Sequence, residues 1–163
     1  MSVRAMICGC SGLELTYDEE AFIREAQPWG LILFKRNVLT PIQLGALTDR
    51  FRAIVGRADA PVLVDQEGGR VQRLGAPHWR KYPAGADFSR MAGITAEHRE
   101  RLVEIAARLI AADLRQVGIT VDCLPVLDVP VEGGHNVIGD RAYGRDPETV
   151  ARLGAAAARG LMA

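Results

Sequence analysis

The sequence has little of the features that assign a protein to a specialised class. It has no apolar run near the roughly 18 residues that span a bilayer, and residues 1–11 lack the long apolar core and cleavage site of a signal peptide. Twenty basic and twenty acidic residues cancel, and no basic face typical of nucleic-acid binding is present. We therefore expect a cytoplasmic protein that binds neither membrane nor nucleic acid.

Cysteine is scarce as well. The three cysteines are Cys8, Cys10 and Cys123, an odd number, and the first two are separated by a single residue. This spacing fits neither a disulfide framework nor the C-x-x-C pattern of a zinc site. We expect all three to be small buried side chains, and the sequence indicates no metal and no cofactor.

The residues that are present predict alternating strands and helices. Hydrophobic residues make up 48% and charged residues 25% of the 163, as in ordinary globular proteins. Thr16 and Thr40 each begin a Ser/Thr-x-x-Glu/Gln capping box, which marks the start of a helix. The predicted strands are 3–10, 29–34, 61–64 and 119–126, and the predicted helices are 16–26, 40–55, 96–117 and 146–161.

Four βα units imply a parallel sheet. They correspond to about half of a (β/α)₈ barrel, or nearly to a small open doubly wound sheet, and periodicity alone does not separate the two. In the third helix Leu102, Ile105, Leu109 and Val117 are predicted to form the buried face. Residues 71–95 show no periodicity and predict a long loop.

Both architectures bind ligands at the carboxyl ends of the strands, where two polar clusters lie. The first spans residues 65–73 and the second begins at Asp128. A carboxylate accepts from sugar hydroxyls and a guanidinium donates to ligand oxygens, so Asp65, Arg73 and Arg141 suit a polyhydroxylated ligand. An ion-pair network that ties loops to the rim is an equal alternative for these residues. For Glu67 and Arg70 an internal salt bridge is the favoured interpretation.

Other residues of the rim allow further interpretations. Trp79 and Tyr82 either stack on a sugar or anchor the long loop, and His135 is the one histidine on the predicted rim. Asp65, Glu67 and Asp128 are candidate oxygen ligands for Mg²⁺ in a metal-dependent enzyme. A phosphate-binding role for the pair at 68–69 is weaker, because no Walker Lys-Ser/Thr follows.

Four strings in the right order resemble the bacterial β-N-acetylhexosaminidases of glycoside hydrolase family 3. They are residues 31–37, 64–73, 125–129 and 138–143, and the DQEGGRVQR string at 65–73 is the most specific. The resemblance implies a (β/α)₈ TIM-barrel fold, of which about the first four βα units are present. It also implies removal of terminal N-acetylglucosamine from cell-wall fragments in peptidoglycan recycling. Asp65, Arg73 and Arg141 match positions that hold the sugar in that family.

The resemblance also implies a retaining mechanism with an Asp nucleophile and a His acid/base. That His lies in a Lys-His-x-Pro-Gly-His-Gly segment, and neither this segment nor the nucleophile's occurs in the 163 residues. We therefore assign no catalytic residue and expect residues 1–163 to be the N-terminal part of the barrel domain. Two copies that pair their exposed strand edges, or a non-catalytic sugar-binding half barrel, are the alternatives.

Overall fold

A parallel β-sheet organises one of two compact units in the computed structural model, which describes residues 2–163. We call the segments up to Asp65 and Leu114–Asp122 the sheet unit, and Gln66–Asp113 with Cys123–Ala163 the hairpin unit. In chain order the elements are β1 (Arg4–Cys8), α1 (Tyr17–Ala26), β2 (Pro28–Leu33), α2 (Pro41–Val55), β3 (Val62–Val64), β4 (Gln66–Gly68), β5 (Val71–Gln72), α3 (Gly85–Arg90), α4 (Ala96–Arg115), β6 (Val121–Asp122) and α5 (Pro147–Leu161).

The strand order of the sheet distinguishes the two architectures left open by the sequence. The order is β1-β2-β3-β6, and all three pairings are parallel. Each new strand thus adds beside the previous one, whereas a doubly wound sheet reverses its order at a switch point. The sheet has the order of a (β/α) barrel, which confirms the predicted fold class.

Helix α1 begins as its capping box predicts. Thr16 accepts a hydrogen bond from the Glu19 N–H, and the Glu19 carboxylate accepts from the Thr16 N–H. The box predicted for α2 is only half formed. Thr40 accepts from the Gln43 N–H as expected, but the Gln43 side chain accepts from the Leu39 N–H, one residue before the cap.

The predicted long loop at 71–95 contains structure that periodicity did not indicate. Its first two residues form β5, which pairs antiparallel with β4 in a short hairpin, and α3 adds a short helix. Elements this short carry too few residues to show a period, so their conformation depends on tertiary contacts. The fourth strand is also shorter than predicted, since only Val121 and Asp122 of 119–126 are in strand conformation.

The buried face of α4 differs from the predicted face. Leu102, Ile105 and Leu109 are each about 40% exposed, so the prediction that they are buried was wrong, whereas Val117 is buried. Instead, Val103, Ala107, Ile110, Ala111 and Leu114 are buried. Val103 and Ala107 join a core cluster of the hairpin unit with Tyr143 and with residues of α3 and α5: Phe88, Val150, Leu153, Ala156 and Ala157.

The cysteines also depart from the expectation. Cys10 is buried, Cys8 is half-buried and Cys123 is exposed, so the prediction of a buried side chain was wrong for Cys123.

Across residues 2–163, no helix combines the length and apolar character that crossing a membrane requires.

Candidate functional site

The β4–β5 hairpin contains most of the DQEGGRVQR string at 65–73, the most specific of the four family strings. It begins one residue after β3, and Gln66 pairs with Gln72 across its two strands. Gly68 and Gly69 form its turn with φ of +90° and +56°, values that favour glycine. A Cβ at Gly68 would collide with the Pro83 carbonyl, and the Gly69 N–H donates to the Tyr82 carbonyl at 2.9 Å. The glycine pair therefore packs on the chain's own backbone, which gives the phosphate-binding interpretation no support.

Gln66 fixes the main chain at Arg73. Its side chain is completely buried, and its Oε1 accepts from the N–H groups of Arg73 and Leu74, each at 3.0 Å. Its Nε2 donates to the Leu74 carbonyl at 2.9 Å. This role was not predicted from the sequence, although Gln66 stands between two predicted ligand-binding residues in the DQEGGRVQR string.

Glu67 and Arg141 form a bidentate ion pair within the hairpin unit. The Arg141 Nε and Nη2 donate to the two carboxylate oxygens at 2.8 and 2.7 Å. The Glu67 side chain is only 4% exposed and that of Arg141 is 25% exposed, so water screens this pair poorly. Arg141 lies in a 3₁₀ turn, Gly139–Arg141, that connects β6 with α5.

A second ion pair joins the hairpin to the same turn. The Arg70 Nε donates to Asp140 at 2.8 Å, and its Nη2 donates to the Val137 and Ile138 carbonyls. The predicted salt bridges of Glu67 and Arg70 thus form, but not inside their own segment. Both partners lie in the Gly139–Arg141 turn, about 70 residues further along the chain.

The three predicted sugar-binding residues follow strands or lie in loops. Asp65 directly follows β3 and ends the sheet unit, while Arg73 directly follows β5 in the hairpin unit. All three side chains are half-buried. The alternative interpretation, an ion-pair network, holds in part, because Arg141 is paired with Glu67. The ligand-binding roles of Asp65, Arg73 and Arg141 stay predictions at this point.

Trp79 and Tyr82 anchor the segment after the hairpin. Both are buried, and the Tyr82 hydroxyl donates to the Asp113 carboxylate at 2.6 Å. Burial, together with this hydrogen bond, raises the pKa of Tyr82 to about 12. Tyr82 therefore remains a neutral hydrogen-bond donor at physiological pH, and the anchoring interpretation is favoured over stacking on a sugar.

A polar cavity of about 610 Å³ lies in the hairpin unit beside the Gly139–Arg141 turn. Its charged and polar lining includes Arg70, Arg90, His135, Asp140 and Arg145. His135 is exposed, and its Nδ1 accepts from the Val137 N–H at 3.0 Å. A lining of this kind suits a hydrated polar ligand better than an apolar one.

The metal-site alternative receives no support from this geometry. Both oxygens of Glu67 accept from Arg141, and Asp128 is exposed. Within residues 2–163 no group of three His, Cys, Asp or Glu side chains is arranged to hold a metal ion.

Sequence comparison shows the family to which the chain belongs. Residues 6–163 match the family described as the glycosyl hydrolase family 3 N terminal domain. The chain is 41% identical to a beta-hexosaminidase of Methylococcus capsulatus over 152 residues, and 36% identical to one of Thiobacillus denitrificans over 166 residues. These alignments cover 92% and 99% of the chain but 43% and 44% of the relatives. The chain thus spans less than half the length of the curated relatives it matches.

Solved structures give the same result. NagZ from Neisseria gonorrhoeae in complex with N-trifluoroacetyl-D-glucosamine superposes with a TM-score of 0.90 at 33% identity, over 98% of the chain and 47% of NagZ. A family 3 beta-N-acetylglucosaminidase from Paenibacillus gives 0.84 at 34% identity, over 96% of the chain and 29% of that enzyme. Both similarities extend over nearly the whole chain.

Proposed function

Because the chain belongs to the N-terminal domain family of glycosyl hydrolase family 3, we propose that residues 1–163 are the N-terminal part of a β-N-acetylhexosaminidase barrel. The similarity to NagZ with a bound N-acetylglucosamine analogue carries the proposal, since it covers 98% of the chain. The proposed ligand is a saccharide that ends in N-acetylglucosamine. The proposed reaction is hydrolysis of its terminal glycosidic bond with retention of configuration.

In this proposal Asp65, Arg73 and Arg141 bind the terminal sugar. The Asp65 carboxylate accepts from sugar hydroxyls, and the two guanidinium groups donate to hydroxyl or carbonyl oxygens of the ligand. The buried Gln66 supports this role because it holds the main chain of Arg73, so that only the Arg73 side chain is left to be ordered on binding. No catalytic residue is assigned among the 163, since the acid/base and nucleophile segments implied by the resemblance do not occur in them.

The proposed biological role is the removal of N-acetylglucosamine from cell-wall fragments during peptidoglycan recycling in the cytoplasm. The resemblance of the 65–73 and 138–143 strings to bacterial family members supports this role. A glycosidase that acts on cell-wall fragments needs to recognise the terminal N-acetylglucosamine that they share. This is the sugar that Asp65, Arg73 and Arg141 are proposed to bind.

We expect Asp65→Ala to weaken N-acetylglucosamine binding by about 10-fold or more. A hydrogen bond to a charged group contributes about 1.5–3 kcal/mol, which corresponds to roughly 10- to 150-fold in affinity. Isothermal titration calorimetry of the intact protein measures this change. Hydrolysis of a chromogenic N-acetylglucosaminide by the same preparation tests the reaction.

Asp59→Ala is the matched control. Asp59 is an exposed aspartate in the connection between α2 and β3, so its removal changes the net charge equally. We expect it to leave affinity unchanged. Equal affinities of the wild type and Asp65→Ala would contradict the proposed site. Binding without any hydrolysis by the intact protein would favour the non-catalytic sugar-binding alternative.

A further inference from the structure

We propose that Glu67 is a positioning residue that orients the Arg141 guanidinium for saccharide binding, an inference that rests on the proposed function. Glu67 contacts both Nε and Nη2 of Arg141, so it fixes the plane of the guanidinium as well as its location. One carboxylate oxygen alone would leave the group free to rotate. From the sequence alone, Glu67 was predicted only to form an internal salt bridge.

Glu67 is well placed to act as the fixed member of the pair. It is the central residue of β4, and its buried neighbour Gln66 makes three hydrogen bonds to residues 73 and 74. Arg141, by contrast, follows a largely exposed loop, residues 131–137, that has no regular secondary structure. The strand therefore provides the rigid support and the loop provides the ligand-binding group.

Other contacts hold the turn itself. Arg70 bonds to Asp140 and to the carbonyls of Val137 and Ile138, and a Cβ at Gly85 would collide with the Arg141 carbonyl. The main chain at 137–141 is thus anchored independently of Glu67. Loss of Glu67 is expected to release the Arg141 side chain and to leave the turn in place.

This separation predicts a moderate loss of affinity. An arginine that is not held in one orientation must be ordered when the ligand binds, and ordering one long side chain costs a factor of roughly 2- to 10-fold in affinity. Glu67→Gln removes the charge and one acceptor at nearly constant volume. We therefore expect the affinity for N-acetylglucosamine to fall by roughly 2- to 10-fold in Glu67→Gln.

The test is calorimetric titration of N-acetylglucosamine into the intact protein in four forms: wild type, Glu67→Gln, Arg141→Lys and the double variant. If Glu67 acts through Arg141, the double variant binds no more weakly than the weaker single variant. Losses that multiply in the double variant, or wild-type affinity in Glu67→Gln, would overturn the inference. These variants also distinguish the inference from the proposed function. If Arg141→Lys weakens binding and Glu67→Gln does not, the proposed function stands and the positioning role of Glu67 is refuted.

Two further variants exclude a purely structural role. Glu67→Asp keeps the charge but leaves a larger void than Glu67→Gln. If Glu67 positions Arg141, the Glu67→Asp variant should bind the sugar more tightly than the Glu67→Gln variant. If Glu67 only fills space, the order should be reversed. Arg101→Gln removes a surface ion pair within α4, whose side chains are 62% and 26% exposed, and is expected to change affinity less than 2-fold. A wild-type protein that binds no N-acetylglucosamine would refute the proposed function together with this inference.

Discussion

At the scale of single residues, the three cysteines differ in environment and are expected to differ in reactivity. Burial raises the pKa of Cys10 to about 11 and shifts the pKa of Cys8 above its ordinary value, whereas Cys123 is exposed. The thiolate is the reactive form, so at pH 8 a raised pKa and poor access both slow the reaction. Titration with Ellman's reagent should label Cys123 first, Cys8 more slowly and Cys10 only on unfolding.

Cys123→Ser is the control for this assay, because it should remove the fast phase alone. A fast phase that persists in this variant would contradict the burial of Cys8 or Cys10. The order of reactivity depends on tertiary burial. For that reason the sequence, in which all three residues resemble small core side chains, did not indicate that Cys123 is exposed.

The positions of single residues were predictable where a predicted strand lies next to them. The sequence placed Asp65 directly after a predicted strand, whereas the strand that precedes Arg73 was not predicted. The partner of Arg141 was not predictable, because Glu67 lies 74 residues away and nothing local links the two. Local patterns report on contacts within a few residues, whereas this pair depends on how the hairpin unit folds.

At the scale of elements, two helical glycines are expected to respond oppositely to alanine. A Cβ at Gly45 in α2 meets no atom within 4 Å, so Gly45→Ala should raise the free energy of unfolding by about 0.5–1 kcal/mol. A Cβ at Gly160 in α5 would collide with the Glu104 carbonyl of α4, and Gly160→Ala should lower it by about 1–3 kcal/mol. Urea denaturation measures both changes.

The two substitutions control for each other, since each adds one methyl group to a helix with the same gain in helix propensity. A stabilising effect of Gly160→Ala would show that α4 and α5 do not approach as closely as described. The close approach also explains the error in the predicted face of α4. The small Gly160 lets α5 approach α4 closely, so Val103 and Ala107 pack in the core beside α5. The prediction followed the spacing of the larger residues Leu102, Ile105 and Leu109, which lie on the exposed face.

Most long elements were predicted well, because their signals are local. Caps at Thr16, Thr40 and Asp146 and the glycine stop at Gly56 lie at the observed helix ends. The hairpin and α3 were missed since two to six residues cannot display a period. The order of strands in the sheet also needed the structure, because four βα units fit more than one topology.

At the scale of the whole molecule, we propose that the outer edge of β1 makes the isolated 163-residue chain self-associate. Among the described residues, β1 pairs only with β2, so its other edge has no neighbouring strand. We expect sedimentation velocity to show association that increases with concentration. Ile7→Lys, on the exposed part of β1, should shift the distribution towards monomer.

Ile42→Lys serves as the matched control. Ile42 is an isoleucine 87% exposed on α2, away from any strand, so the same change in charge and polarity should leave association unaffected. Equal association of Ile7→Lys and the wild type would exclude the β1 edge as the contact. Monomeric behaviour of the wild type at all concentrations would exclude edge pairing altogether.

The ion pair between Glu67 and Arg141 also constrains how this protein can evolve. Replacement of Arg141 alone leaves a carboxylate that is 4% exposed without its partner, at a cost of about 3–5 kcal/mol, which is a large part of a domain's stability. A substitution that removes the Arg141 charge is therefore expected to destabilise the fold unless Glu67 is replaced as well. A change of ligand specificity at Arg141 is thus expected to require a second change in the β4 strand.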